Sequence, residues 1–228
     1  MPRPGEIIIG VAIGASVLLV VAAAVFVRNR GDATPEPRHS ESFELTFETD
    51  GSPHIIVESW RGPVTVRGTN GDVVRVEVFR TGTGATEQEA FDNLTRLESR
   101  ALQEGDTVTV RTYRTDDAPA PAGTRAVIVV FAPADSSVEI VATGDEDVTV
   151  ADITGAIEVT AEAGIEFDAA PGAAFALDAV ANSGSIEDGI GLDAEPTANG
   201  QGETLEASRG DGAQAIVLRA GAGITLSR

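Results

Sequence analysis

A long apolar run separates the start of the chain from everything that follows. Residues 7–27 read IIIGVAIGASVLLVVAAAVFV and contain no charged side chain. A helix rises about 1.5 Å per residue, so this run matches the roughly 30 Å hydrocarbon core of a bilayer. It predicts one transmembrane helix, Ile7–Val27, within an N-terminal anchor of residues 1–28.

A cleaved signal peptide is the alternative reading of the same run. Arg3 supplies a basic start, and Ala22–Ala24 supply small residues near a cleavage point. The apolar core of a signal peptide is usually about 7–15 residues, which is shorter than this run. We therefore favour a retained anchor.

A short linker is predicted between the anchor and the rest of the chain. Residues 29–42 read NRGDATPEPRHSES, and prolines among polar residues are typical of an extended linker. The Arg-Gly-Asp tripeptide at Arg30–Asp32 is known from integrin ligands, but we interpret it here as a chance occurrence. Residues 43–228 are then predicted to form one β-rich domain.

The first part of this domain alternates apolar and polar residues with a period of two, which predicts strands with one buried face. Phe43, Leu45 and Phe47 are the first such set, and later sets flank the turn residues Asn70-Gly71. Asn-Gly favours a hairpin turn because both residues tolerate positive φ. The pattern predicts a meander, followed by a strand at 126–131 that is apolar throughout and buried on both faces.

One segment has helical spacing instead. Thr86 and Glu89 have the spacing of a capping box, and apolar residues recur from Ala90 to Ala101 three to four residues apart. Gly105 stands where a helix would end. The sequence therefore predicts an amphipathic helix over about 86–103, lying against the sheet.

After Pro133 a strand-turn-strand unit recurs. Each unit has an alternating strand, a turn containing glycine, and a second short strand that begins near Val148, Ile165, Ile186 or Ile224. Recurring short units with small residues at their turns predict a solenoid-like stack of β-coils. A plain antiparallel sandwich is the alternative. The expected fold class is mainly β: a meander with one helix leads into stacked coils, behind one transmembrane helix.

Charge and cysteine content limit the partners and the environment. The formal charge is −20, all sixteen basic residues are arginine, and the chain has no cysteine. Residues 116–228 hold four arginines and twenty acids, a net charge of −16. Nucleic acids and anionic membrane surfaces need basic patches, so neither is expected as a partner of this domain. Binding of divalent cations or cationic polymers is one interpretation of the acidity, and general solvation is the simpler one.

Four features together resemble a known family. They are the opening VESWRGPVTVRGTNGDVVRVEV, the helix TEQEAFDNLTRL, the apolar strand AVIVVFAP, and coils punctuated by glycine such as VANSGSIEDG and LRAGAGITLS. Over residues 43–228 the chain resembles the bacterial and archaeal putative-adhesin family of unknown function, related to the toastrack domains of envelope-stress proteins. The resemblance implies an interaction domain on the extracytoplasmic side of a single-pass membrane anchor. It transfers no catalytic or ligand residue.

Orientation is the point on which the residues and the resemblance differ. Arg28 and Arg30 follow the apolar run, so the positive-inside rule favours a cytoplasmic domain. Long domains cross membranes largely regardless of charge, and on the resemblance we expect an extracytoplasmic domain.

Residues that carry chemistry are few. His39 and His54 have no His or Cys partner at metal-ligand spacing, so no zinc site is predicted. The acidic turn Asp145–Asp147, with Asp152 after it, offers oxygen ligands but lacks the spacing of an EF-hand, and we interpret it as solvated.

Two further features have a simpler explanation than a site. Ser183–Ser185 is not the Gly-x-Ser-x-Gly turn of a hydrolase. Trp60, in a predicted turn, is interpreted as a half-buried cap on the sheet rather than a sugar platform. The sequence predicts no catalytic, cofactor-binding or metal residue and no enzyme activity.

Three functions remain open at this point. The first is a membrane-anchored, non-catalytic surface domain for adhesion to an envelope protein or polymer. The second is an accessory sensor or scaffold in envelope-stress signalling. The third, a polysaccharide-active enzyme, is disfavoured because such enzymes usually line clustered carboxylates with aromatic platforms, and aromatic residues make up 4% of the chain.

Overall fold

The structure is a computed structural model that describes residues 36–212 and 214–228. The predicted transmembrane helix Ile7–Val27 and the tripeptide Arg30–Asp32 lie outside the described residues. Among the described residues, no helix has the length and apolar character needed to cross a bilayer. The helix that they contain is α1 (Glu87–Thr95).

The described part of the chain is otherwise built mainly from strands, as predicted. In chain order they are β1 (Arg38–Glu48), β2 (His54–Ser59), β3 (Val64–Thr69), β4 (Val73–Thr83), β5 (Leu97–Glu104), β6 (Thr107–Arg114), β7 (Arg125–Pro133), β8 (Ser137–Ala142), β9 (Val148–Ala151), β10 (Ile157–Ala161), β11 (Ile165–Asp168), β12 (Phe175–Ala181), β13 (Ile186–Asp188), β14 (Thr197–Asn199), β15 (Gly202–Arg209), β16 (Gln214–Ala220) and β17 (Ile224–Ser227).

These strands form two sheets. The eight-stranded sheet has the order β1-β4-β7-β3-β9-β11-β17-β13, and the nine-stranded sheet has the order β14-β15-β12-β16-β10-β8-β2-β6-β5. Alternate side chains of both sheets belong to a single buried core cluster, so each sheet has one inner and one outer face. Phe167 of the first sheet and Phe175 of the second meet edge to face in that core, with ring centroids 6.2 Å apart.

The predicted solenoid-like stack of β-coils is wrong. The strand-turn-strand units exist, but each places its first strand in the nine-stranded sheet and its second in the eight-stranded sheet. The units do not follow one another in chain order, because the last unit, β16 and β17, lies between β10/β11 and β12/β13. Neighbouring units pair in parallel, as β10 does with both β8 and β16, so the antiparallel sandwich is not found either.

The predicted meander also differs from the structure. β1 pairs antiparallel with β4, and β2 belongs to the other sheet. Asn70-Gly71 joins β3 to β4, but the two strands form no hairpin because β7 pairs with both and separates them. The apolar strand β7 is buried on one face and half-buried on the other, where the guanidinium of Arg75 lies 4.3 Å from the ring centre of Phe131.

The predicted helix is too long. Its N-terminus is right: the Thr86 hydroxyl accepts a hydrogen bond from the amide of Glu89, and the Glu89 carboxylate accepts one from the amide of Ala85, one residue earlier than a capping box requires. The helix ends at Thr95, and the residues predicted as its second half form β5, which pairs with β6. Gly105, with φ of 59°, is then the turn between these two strands rather than a helix end.

The linker boundary needs a smaller correction. β1 begins at Arg38, so residues 38–42 of the predicted linker are strand and pair with the end of β4. Helix α1 covers the two sheets at this end and lies so near β4 that a Cβ on Gly82 would stand 2.3 Å from the carbonyl oxygen of Ala90. Glycine at this position therefore permits the helix to cover the core.

Candidate binding face of the nine-stranded sheet

The outer face of the nine-stranded sheet carries a row of carboxylates that crosses several strands. Side chains alternate between faces along a strand, so residues paired across neighbouring strands share a face. Glu139 of β8 pairs with Glu158 of β10, and Asp178 of β12 pairs with Glu206 of β15. Val217 of β16 pairs with both Glu158 and Asp178 and so joins the two acidic pairs.

We call Glu139, Glu158, Asp178 and Glu206 the acidic row. Strands lie about 4.8 Å apart, so the four strand steps from β8 to β15 place these side chains along a line of about 19 Å. Like charges directly opposite each other in a sheet are destabilising. The Glu139–Glu158 pair therefore carries a repulsion that a cationic partner would relieve.

A groove runs beside the acidic row. Its floor includes small side chains from the neighbouring register position, Ala176 of β12, Ser208 of β15 and Ala215 of β16. Asp193 and Ala194, from the loop after β13, line its rim. The groove is open to solvent and has a volume of about 750 Å³.

The loop at the groove's rim is fixed by one carboxylate. Asp188 at the end of β13 accepts hydrogen bonds from the amides of Ile190, Gly191 and Leu192, at 2.9, 3.0 and 2.6 Å. Ile190 is buried in the core, which anchors the loop from below. Asp193 therefore follows a segment whose backbone is held in one conformation.

One residue of the acidic row is already paired with an arginine. The guanidinium of Arg219 donates to both carboxylate oxygens of Asp178, at 2.5 and 3.1 Å, and to the backbone oxygen of Asp178 at 3.0 Å. Glu158 and Glu206 make no ion pair among the described residues. Their negative charge is available to a ligand.

A smaller depression of about 170 Å³ adjoins the groove at Ala215 and Val217 and contains His54, Ser137 and Glu139. Nδ1 of His54 lies 2.8 Å from the hydroxyl of Ser137, and Nε2 lies 3.8 Å from the carboxylate of Glu139. The order of groups resembles a hydrolytic triad. However, the amide of Ser137 is bonded to the carbonyl of Pro53, so it is not available to stabilise an oxyanion.

The pKa shifts of this face lie on its far strands. Tyr113 of β6 donates a 2.6 Å hydrogen bond to Glu98 of β5. This bond lowers the pKa of Glu98 below 4.5 and raises the pKa of Tyr113 above 10.0. Arg100 also bonds Glu98 and lowers its pKa further. Both groups are solvent-accessible, so the pair is a surface contact.

The other residues considered from the sequence lie apart from this face. His39 contacts Glu87 at 3.0 Å and the ring of Phe91. Trp60 is half-buried, with guanidinium groups of Arg61 and Arg114 at 4.9 and 5.7 Å from its ring centre. Trp60 therefore faces cations rather than an open sugar site.

The acidic turn and the serine-glycine turn are structural. Asp147 accepts a 2.9 Å hydrogen bond from the amide of Gly164, and Glu146 pairs with Arg125 at 2.7 Å. Gly184 has φ of 101° and occupies a turn, as its sequence context predicted. No group of three or more potential metal ligands is found among the described residues.

Comparison with known proteins finds distant structural likenesses. No family model matches the chain, and no curated protein matches it. It is similar to the structure of a putative cell adhesion protein from Clostridium sporogenes, with 9% identity and a TM-score of 0.49 over 83% of this chain and 99% of that chain.

Two putative adhesins are less similar. One from Parabacteroides distasonis has 10% identity and a TM-score of 0.30 over 82% of this chain and 70% of that chain. One from Bacteroides fragilis has 10% identity and a TM-score of 0.27 over 82% of this chain and 97% of that chain.

Proposed function

We propose that this protein is a non-catalytic interaction domain that binds an extended cationic partner along the acidic row. The observation that carries the proposal is the in-register alignment of Glu139, Glu158, Asp178 and Glu206 beside an open groove. An open groove leaves water in contact with a bound chain, which suits recognition better than chemistry that requires water to be excluded. The proposed partner is a linear chain that bears amino or guanidinium groups.

The proposal places this face outside the cytoplasm, tethered through residues 7–27. The support for the tether is the length and apolar character of that run. A tethered domain meets its partner at high local concentration, so weak contacts along the row suffice for adhesion. An outward position would give the groove access to envelope polymers and proteins.

Binding of labelled oligolysine and of an amino-sugar oligomer tests the proposal. The double variant Glu139→Gln and Glu158→Gln should bind the ligand that represents the partner about tenfold more weakly. This loss corresponds to about 1.4 kcal/mol of binding free energy. Binding should also weaken with added salt, because exposed charges are screened. The matched control is Glu166→Gln with Glu187→Gln, which removes the same charge from the outer face of the other sheet.

The two ligands separate a peptide partner from a polysaccharide partner. Equal loss in the test and control variants would show that net charge alone attracts the ligand, and the acidic row would then be no site. Retained binding in the test variant would also overturn the proposal.

A further inference from the structure

The strand at one edge of the eight-stranded sheet is long and regular. β1 pairs with β4 along its whole length without a bulge and contains no proline. No strand pairs with its other edge among the described residues. Such an edge offers a row of unpaired backbone donors and acceptors to another strand.

Among the described residues, the strands at the other three sheet edges are shorter than β1, which has 11 residues. β13 and β14 are only three residues long. β5 carries Glu98 and Arg100, which ion-pair with each other, and Gln103, whose side chain bonds the backbone oxygen of Glu48. Short length and charged side chains are the usual defences of sheet edges, and β1 has the charged side chains but not the short length.

The ends of β1 carry opposite charges without partners. Glu41 in its middle pairs with Arg80 of β4 at 2.5 Å, and Glu44 lies 3.9 Å from Arg75. Arg38 and Glu48, at the two ends, make no ion pair among the described residues. They cannot pair with each other, because ten residues of strand separate them by about 34 Å.

A second copy of the chain would satisfy both ends at once. In a continuous sheet, the inner faces of two antiparallel copies of β1 must lie on the same side. Because paired residues share a face, only those registers are allowed in which one residue lies opposite the same residue of the other copy. With Phe43 opposite its copy, Arg38 of each chain lies opposite Glu48 of the other. Moving the two-fold axis to Glu44 places the two copies of Glu44 opposite each other, and moving it to Ser42 places Glu48 opposite Glu36 of the other chain. Both of these registers bring like charges together.

Apolar residues favour the same register. Phe43, Leu45 and Phe47 point toward the inner face and stay half-buried in one copy. With Phe43 at the centre, Phe47 lies opposite His39 of the other copy. The ring of His39 contacts Phe91, which is 46% exposed. Pairing would therefore bring three partly exposed aromatic groups toward one another.

We propose that two copies of this chain associate through antiparallel pairing of their β1 strands about a two-fold axis at Phe43, which joins their eight-stranded sheets into one. A two-fold contact of this kind closes on itself, so it yields a dimer rather than a filament. The proposal does not depend on the acidic row, which lies on the other sheet.

Single cysteines test the register directly, because the chain has none. In the full chain in membranes, Phe43→Cys should form a dimer with mild oxidant or a short thiol cross-linker. Leu45→Cys alone should not cross-link, because the two Leu45 positions of the dimer lie four residues, or about 14 Å, apart along the paired strands. A mixture of Glu41→Cys and Leu45→Cys chains should cross-link to each other, since these positions face one another.

A charge swap tests the same register without a cross-link. Arg38→Glu should raise the dimer dissociation constant at least about tenfold, since it replaces two opposite-charge pairs by two like-charge pairs. Adding Glu48→Arg should restore association and leaves the net charge equal to that of the original chain. Sedimentation or light scattering of the detergent-solubilised chain measures both.

Several results would overturn the proposal. They are a monomer at every concentration, equal cross-linking of Phe43→Cys and Leu45→Cys as in random collision, or dimerisation that Arg38→Glu leaves unchanged. Cross-linking of Phe43→Cys to a different protein would show that β1 accepts a strand of that protein instead, and would equally exclude the self-pairing.

Discussion

Truncation of Phe167 is expected to remove a large part of the stability of the domain. The side chain is 1% exposed and packs edge to face against Phe175, which is 0% exposed, so it joins the inner faces of the two sheets. Phe→Ala in a packed core costs about 4 kcal/mol, against about 5–15 kcal/mol for the stability of a whole domain. With an m-value near 2 kcal/mol per molar, the urea midpoint should fall by about 2 M.

Glu166 is the matched control because it neighbours Phe167 on the same strand and points outward. Glu166→Ala should change stability by no more than about 0.5 kcal/mol, as exposed substitutions usually do. Urea unfolding followed by circular dichroism measures both. If Glu166→Ala costs as much as Phe167→Ala, the assignment of inner and outer faces in this sheet is wrong.

A double-mutant cycle separates the aromatic contact from the loss of volume. Phe167→Leu and Phe175→Leu should each cost about 1–2 kcal/mol, and the double variant should cost less than their sum. Edge-to-face pairs couple by about 0.5–1.5 kcal/mol. Strict additivity would show that the two rings fill space without interacting specifically.

Three further outcomes are expected. The full chain should stay with membranes through carbonate extraction while a fragment beginning at Glu36 is soluble, and a mature N-terminus found after residues 7–27 would contradict the tether. Tyr113, the only tyrosine of the chain, should ionise above pH 10.0 when followed by ultraviolet absorbance, and Glu98→Gln should lower the midpoint of that titration. Because folding raises the pKa of Tyr113, its hydrogen bond to Glu98 stabilises the fold below pH 10, and this stabilisation is lost as the pH rises further. Gly184→Val should lower the melting temperature more than Gly184→Asn, because φ is 101° there and Asn tolerates positive φ better.

The period-two pattern predicts the faces of strands well because burial acts locally. Phe175, Leu177 and Ala179 are all buried and Asp178 between them points outward, as alternation requires. Helical and strand patterns conflict only where apolar residues are four apart, since that spacing fits both periods. Leu97 and Ala101 have this spacing, and pairing of their segment with β6 decided the outcome in favour of a strand.

The acidic row could not be predicted because register is a long-range property. Its four members are spread from β8 to β15 along the chain, and they align only after the strands pair. A local signal does exist. Each member stands between two apolar residues, in Val-Glu-Ile, Ile-Glu-Val, Leu-Asp-Ala and Leu-Glu-Ala. Glu166 has the same context in Ile-Glu-Phe but belongs to the other sheet, so the signal alone does not select the row.

Sheet order is the part of the fold that local patterns least determine. The repeated units have the same alternation, so any one could lie beside any other. In the structure β16 and β17, the last strands of the chain, separate β12 from β10 and β13 from β11. Both sheets therefore stay incomplete at an interior position until the final residues pair. Such long-range pairing must overcome loop-closure entropy before it stabilises the fold. Patterns among neighbouring residues of the sequence do not include this contribution.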